Sequence, residues 1–141
     1  MGIYGQGAAD PSLAGKLVPM SESELTVFER IIARELPADI VFENERIIAI
    51  RDIAPKAPVH LLVVPKTARY ENVGQLAAAN PELLAEVVGV AQQLAMEHTH
   101  GQYRLIFNTG PDAGQTVFHV HAHVLGSDSP GQTLTEGSLG L

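Results

Sequence analysis

Three histidines alternate with small apolar residues in His119-Val120-His121-Ala122-His123-Val124-Leu125. A period of two belongs to a β-strand, where successive side chains point to opposite faces. The pattern predicts a strand over 117–125 with all three imidazoles on one face, about 7 Å apart by the strand rise. Val120, Ala122 and Val124 then face the other way, where they can pack on a helix. Half of the chain's 6 histidines stand on this one segment. Imidazole titrates near neutral pH and can act as nucleophile, acid, base or metal ligand. Taken alone, the triplet admits three readings. A solvated edge strand is one, although Lys, Glu and Thr serve that purpose more often. A metal site is another, because His-x-His on a strand is a common ligand spacing. Three ligands in a straight row cannot surround one ion, however, and the nearest carboxylates, Asp112 and Asp128, fall in loops. Phosphate chemistry is the third.

The rest of the chain supplies a layer for such a strand to join. Ser21 followed by Glu24 resembles a capping box. Leu25, Phe28, Ile31 and Ile32 then recur at helical spacing up to Pro37. Residues 40–43 and 46–52 predict two strands with a tight turn, and the prolines of 53–58 force a loop. Residues 59–64 predict a third strand closed by Pro65. Asn80-Pro81 opens a long helix to about His98, with Leu83, Leu84, Val87, Val90, Ala91 and Leu94 on one stripe. Residues 103–108 predict a fourth strand, and 117–125 the fifth. About five antiparallel strands with two helices make an α+β domain. The expected organisation is a flexible arm over 1–20, one domain over 21–126 and an irregular tail over 127–141.

Composition narrows the function classes. The chain has 141 residues, enough for one well-buried domain. A net charge of −7 argues against binding nucleic-acid polymers, while a single nucleotide can still enter a locally positive pocket. With 0 cysteines, a disulfide scaffold and a cysteine zinc site are excluded. The expected setting is reducing and cytoplasmic. No apolar run reaches the roughly 20 residues that span a membrane.

The loop before the triplet, Asn108-Thr109-Gly110-Pro111-Asp112-Ala113-Gly114-Gln115-Thr116, favours phosphate. Glycines let backbone N–H groups approach an anion, and Asn, Gln and Thr add neutral donors. Together with the triplet, this segment resembles the histidine-triad (HIT) family, whose signature is His-φ-His-φ-His-φ-φ. The similarity covers about residues 24–126. It includes Phe28, Arg51-Asp52-Ile53-Ala54-Pro55, Ala57-Pro58-Val59-His60, Pro65-Lys66, Asn108 and Gly114-Gln115-Thr116-Val117. Gly126, directly after the signature, is similar to the Hint branch of purine nucleoside phosphoramidases. The diadenosine-polyphosphate hydrolases usually have proline there.

The resemblance implies a HIT-like fold and a role for each matched residue. His121 is the expected nucleophile, forming a nucleotidyl-histidine at the α-phosphorus. His119, His123 and His60 surround the phosphate and hold the reactive tautomer. Asn108, Gly114, Gln115 and Thr116 lie on the phosphate and leaving-group side. Asp52 grips the ribose hydroxyls, and Phe28, Leu36, Ile50 and Ile53 wall the base. The implied substrate is a purine nucleotide with an AMP or GMP moiety, hydrolysed without metal or other cofactor. The alternatives are hydrolysis or phosphorolysis of dinucleoside polyphosphates, and a regulatory nucleotide-binding module with incidental turnover. Many relatives carry a Cys-x-x-Cys pair for structural zinc where Thr26 and Glu29 stand here, and often histidine at the position of Ala68. That zinc is therefore not expected. A homodimer is expected through the long helix, which carries Ala85, Val88 and Ala95 outside its main stripe.

Overall fold

The computed structural model describes residues 25–134. The expected arm, the Ser21–Glu24 capping box and the end of the tail lie outside them. Five strands form one antiparallel sheet in the order β1-β2-β3-β5-β4. The strands are β1 (Ile40–Glu43), β2 (Ile47–Arg51), β3 (Val59–Pro65), β4 (Arg104–Ile106) and β5 (Ala122–Gly126). Among the described residues, three α-helices accompany them: α1 (Val27–Ile32), α2 (Val73–Ala79) and α3 (Pro81–His98). A 3₁₀ turn covers Pro111–Ala113.

The sheet is covered unequally. Ile47, Ala49, Val59, Leu61, Val63, Ala122 and Val124 point to one face and pack against Leu83, Val87, Val90, Ala91 and Leu94 of α3. The side chains of opposite parity, Ile48, Ile50, Leu62 and Val64, cluster with Phe28 and Ile31 of α1, with Ile32, Ala38 and Val117 packed against them. A helix of 18 residues seals the first face. One of 6 covers part of the second, where its Phe28 meets the rings of His119 and His121.

Several elements differ from expectation for local reasons. The opening helix starts later, because Thr26 caps it: its hydroxyl accepts the Glu29 N–H at 3.1 Å while the Glu29 carboxylate accepts the Thr26 N–H at 2.9 Å. It stops at Ile32, before Pro37, as Arg34 turns into the left-handed region at φ 64. Helix α2 is an extra element. It buries only Leu76 and so shows no apolar stripe, but Asn72 caps it by accepting the Gln75 N–H at 2.9 Å. Strand β5 starts at Ala122 instead of 117. The ladder from Val59↔Gly126 ends at Val63↔Ala122. Beyond it the chain leaves β3, and the Val120 N–H donates to the Tyr70 carbonyl at 2.9 Å. On α3, Ala95 is buried, so only Ala85 and Val88 of the three residues named for a partner face are exposed.

Gly126 closes β5 for a steric reason. A Cβ there would lie 2.5 Å from Thr99 Cγ2 and 3.0 Å from the Gln102 carbonyl oxygen. The residue after the signature is thus held to glycine by the buried Thr99.

Candidate active site

Pairing and parity bring distant residues to the open face. Asp52 continues β2 in the same parity as Ile48 and Ile50, and its N–H donates to the His60 carbonyl at 2.9 Å. His60 shares its parity on β3 with Leu62, which pairs across with His123. The His60 and His123 ring centres lie 5.2 Å apart, and those of His123 and His121 5.1 Å. Phe28 meets His121 edge-on at 4.9 Å and His119 at 5.7 Å. The imidazoles are closer than the strand rise implies, because His119 and His121 precede β5.

The His121 ring has a defined polarity. Its Nδ1 lies 2.8 Å from the His119 carbonyl oxygen. A carbonyl only accepts, so Nδ1 carries the proton and, in the neutral ring, Nε2 keeps its lone pair. Burial holds His121 below the usual imidazole range; the backbone bond to His119 and the Asp52 carboxylate oppose this, and the His119 ring adds to it. The neutral, nucleophilic form is therefore favoured.

His119 is 0% exposed and fully bonded. Its Nε2 lies 2.6 Å from the Pro65 carbonyl oxygen and so donates. Its Nδ1 then accepts from the Thr26 hydroxyl at 3.2 Å. Both ring nitrogens face the interior, and only the His119 carbonyl serves His121. Sequence reasoning missed Thr26 and the Pro65 carbonyl. Thr26-x-x-Glu29 has the capping-box pattern that was expected at Ser21 and Glu24 instead, and its tie to His119 crosses 93 positions.

His60 Nε2 lies 2.9 Å from His123 Nδ1 and 3.4 Å from Asp52 Oδ2. Asp52, His60 and His123 thus offer three ligand atoms within 4.8 Å of one another, so this part of the cluster does converge on a point. The donor set still fits a cation poorly. A ligating histidine donates its second N–H outward, whereas His60 Nδ1 faces the Lys56 main-chain N–H at 3.0 Å and must accept. The neutral His60 therefore carries its proton on the nitrogen a metal would need.

The remaining expected residues divide into two groups. Phe28 and Ile50 are buried beside the histidines in the α1-covered cluster. Ile53 is 98% exposed in the loop after Asp52, and Leu36 lines a separate recess of about 390 Å³ with Ile31, Ala38 and Ile40. Gln115 is buried and committed to its own loop: its Oε1 accepts the Gly110 N–H at 2.9 Å, and its Nε2 donates to the Glu71 and Val117 carbonyls at 2.6 and 3.1 Å. It shapes the loop in which Gly114 takes φ 95, a conformation suited to glycine. Asn108 is half-buried and Thr116 exposed, with no bond to the histidines among the described contacts.

Burial also lowers His60, His119 and His123, the last to about 4, helped by the neighbouring His121 and His60 and opposed by Asp52. The unfolded chain's imidazoles take up protons near pH 6.5, so on acidification it binds protons before the fold does. Stability should be unaffected by these groups above that pH and fall through the window down to about 4. Each extra proton contributes a slope of about 1.4 kcal/mol per pH unit. Urea unfolding at pH 7 and pH 5 should give a clearly lower midpoint at pH 5; equal midpoints would contradict neutral burial.

This fold and histidine cluster define a histidine-triad protein. Residues 25–137 match the family described as scavenger mRNA decapping enzyme C-term binding. The chain is 46% identical over 109 residues to an uncharacterised HIT-like protein of Synechococcus elongatus, covering 76% of this chain and 94% of that one. It is 37% identical over 119 residues to the purine nucleoside phosphoramidase of Escherichia coli, covering 83% and 99%. A solved HIT family hydrolase from Clostridium thermocellum superposes with a TM-score of 0.69 at 44% identity, covering 79% and 98%. The chain belongs to the HIT family. Among the described residues, no helix is long and apolar enough to cross a membrane.

Proposed function

We propose that this protein hydrolyses purine nucleoside phosphoramidates through a nucleotidyl-histidine at His121. The observation that carries the reading is the His121 Nδ1–H bond to the His119 carbonyl, which leaves Nε2 as a lone pair beside His123. In the first step Nε2 bonds to the α-phosphorus as the P–N bond breaks, and the departing amine takes a proton from His123. The nucleotidylated ring is cationic, and the His119 carbonyl stabilises its Nδ1–H. In the second step water adds its hydroxyl to phosphorus and returns a proton to His123, and the P–Nε2 electrons go back to His121. Two easier displacements replace one difficult one. The similarity to a purine nucleoside phosphoramidase supports the P–N substrate. Steady-state assays of an adenylated amine against diadenosine polyphosphates, with AMP release as the readout, decide between this reading and its enzyme rival. Tight AMP binding with negligible turnover of both would indicate a regulatory module.

Asp52 is the proposed ribose clamp. Its Oδ1 already accepts the Ala54 N–H at 2.8 Å, but a carboxylate has about four acceptor sites, which leaves room for two hydroxyls. Phe28, Ile50, Ile53 and Leu36 are the proposed base walls, with Asn108, Gly114, Gln115 and Thr116 on the phosphate side. Asp52→Asn should weaken AMP by about 1.5–3 kcal/mol for each charge-assisted bond lost and weaken 2′,3′-dideoxy-AMP much less. Equal losses by calorimetry would make Asp52 a turn residue only.

The proposed assembly is a homodimer. Val88 and Met96 are 37% and 60% exposed on α3, and β4 is a sheet edge. Sedimentation should give about 30 kDa, twice the 15.0 kDa chain, and Val88→Glu should shift it toward monomer because an interface would bury the charge. A parent that stays monomeric at micromolar concentration refutes the dimer.

A further inference from the structure

We infer that the main-chain N–H of Lys56 is a positioning group: its bond to His60 sets the direction of the His60–His123 hydrogen bond, so that His123 presents an N–H to the leaving group. The inference rests on the donor role proposed above for His123. The Lys56 nitrogen lies 3.0 Å from His60 Nδ1. A backbone amide only donates, so Nδ1 holds a lone pair and the neutral ring carries its proton on Nε2. That proton has one acceptor in His123 Nδ1 at 2.9 Å and a carboxylate oxygen of Asp52 at 3.4 Å. His123 Nδ1 therefore holds a lone pair, and the neutral His123 carries its proton on Nε2.

The ring pair alone has no preferred direction. If His60 were protonated on Nδ1, its Nε2 would accept from His123 Nδ1–H, and His123 would offer a lone pair where a proton is needed. Both arrangements keep one bond between the rings. The Lys56 amide favours one of them, because the other sets two N–H groups against each other at 3.0 Å. His60 is 4% exposed, which limits water as a substitute partner for Nδ1. The amide is itself anchored. Asp52 accepts the Ala54 N–H at 2.8 Å, folding the start of the loop into an Asx turn, and Pro55 and Pro58 restrict the rest. The Pro-rich segment after β2 thus orients a proton donor through atoms that every residue type except proline possesses.

Long-range ¹⁵N–¹H spectra of the histidine side chains read this directly, independently of which substrate is turned over. The parent should show Nε2–H rings at His60 and His123, an Nδ1–H ring at His121, and a trans-hydrogen-bond coupling between the Lys56 amide nitrogen and His60 Nδ1. An Nδ1–H ring at His60, or absence of the coupling in spectra that resolve others of its kind, overturns the inference without any variant. Lys56→Pro removes the N–H, and Lys56→Ala removes only the side chain. The proline variant should populate the reversed tautomers of His60 and His123 and lose at least about tenfold more kcat than the alanine variant, with KM shifted less than kcat. A folded proline variant with unchanged tautomers overturns the inference. Unchanged parent chemistry at a P–O bond in place of P–N would revise the substrate and leave the assignment to Lys56 standing.

Discussion

His121→Ala is expected to lower kcat by at least about 10⁴-fold, since losing the nucleophile of a covalent mechanism removes the intermediate itself. The fold should survive. His121 is half-buried, and the hydrogen bond of its Nδ1 to the His119 carbonyl is a single contact within two residues that ties no distant segments together. AMP binding should persist for the same reason, as the proposed ribose and base contacts lie on other elements. Intact-mass measurement on the quenched parent should detect a nucleotidyl adduct that the variant lacks. A variant turning over within about tenfold of the parent would rule out the covalent route.

His119→Ala should act on stability, although His119 stands two positions away in the same motif. The ring is 0% exposed, touches Phe28 edge-on and joins two segments, with Nε2 on the Pro65 carbonyl and Nδ1 on the Thr26 hydroxyl. Removing it leaves a cavity, takes the ring N–H donor from the Pro65 carbonyl and takes the acceptor from the Thr26 O–H, which keeps only its bond from the Glu29 N–H. The combined cost is about 3–5 kcal/mol, or a Tm lower by roughly 10–20 °C for a domain of this size. The carbonyl that holds His121 is retained in alanine, so turnover per folded molecule should fall far less than in His121→Ala. A Tm within about 3 °C of the parent would contradict this account.

The two histidines differ because of what surrounds them, and that was not legible in the triplet. Alternation correctly implied that His121 and His123 adjoin, and that Ala122 and Val124 pack beneath them against α3. It wrongly implied that His119 and His121 lie with His123 on one continuous strand from 117 to 125. The strand ends where the ladder to β3 ends at Val63↔Ala122, and no local pattern marks that point. Thr26 and Glu29 show the same limit. At positions where relatives carry zinc-binding cysteines, their absence was readable. Their use as a capping box whose hydroxyl also meets His119 was not, because that contact spans the fold.

Short-range periodicity and residue chemistry were enough to mark the strands of period two, the Asn80-Pro81 start and apolar stripe of α3, the histidine cluster and the glycine-rich loop beside it. Tertiary structure decided which face of the sheet stays open, since that depends on α1 being 6 residues and α3 being 18. It also decided the proton positions. Imidazole tautomers have similar intrinsic energies, so they are selected by whichever group lies opposite each nitrogen. Here those groups are the His119 carbonyl for His121 and the Lys56 amide for His60, the latter bond working through His60 on a partner 63 positions away.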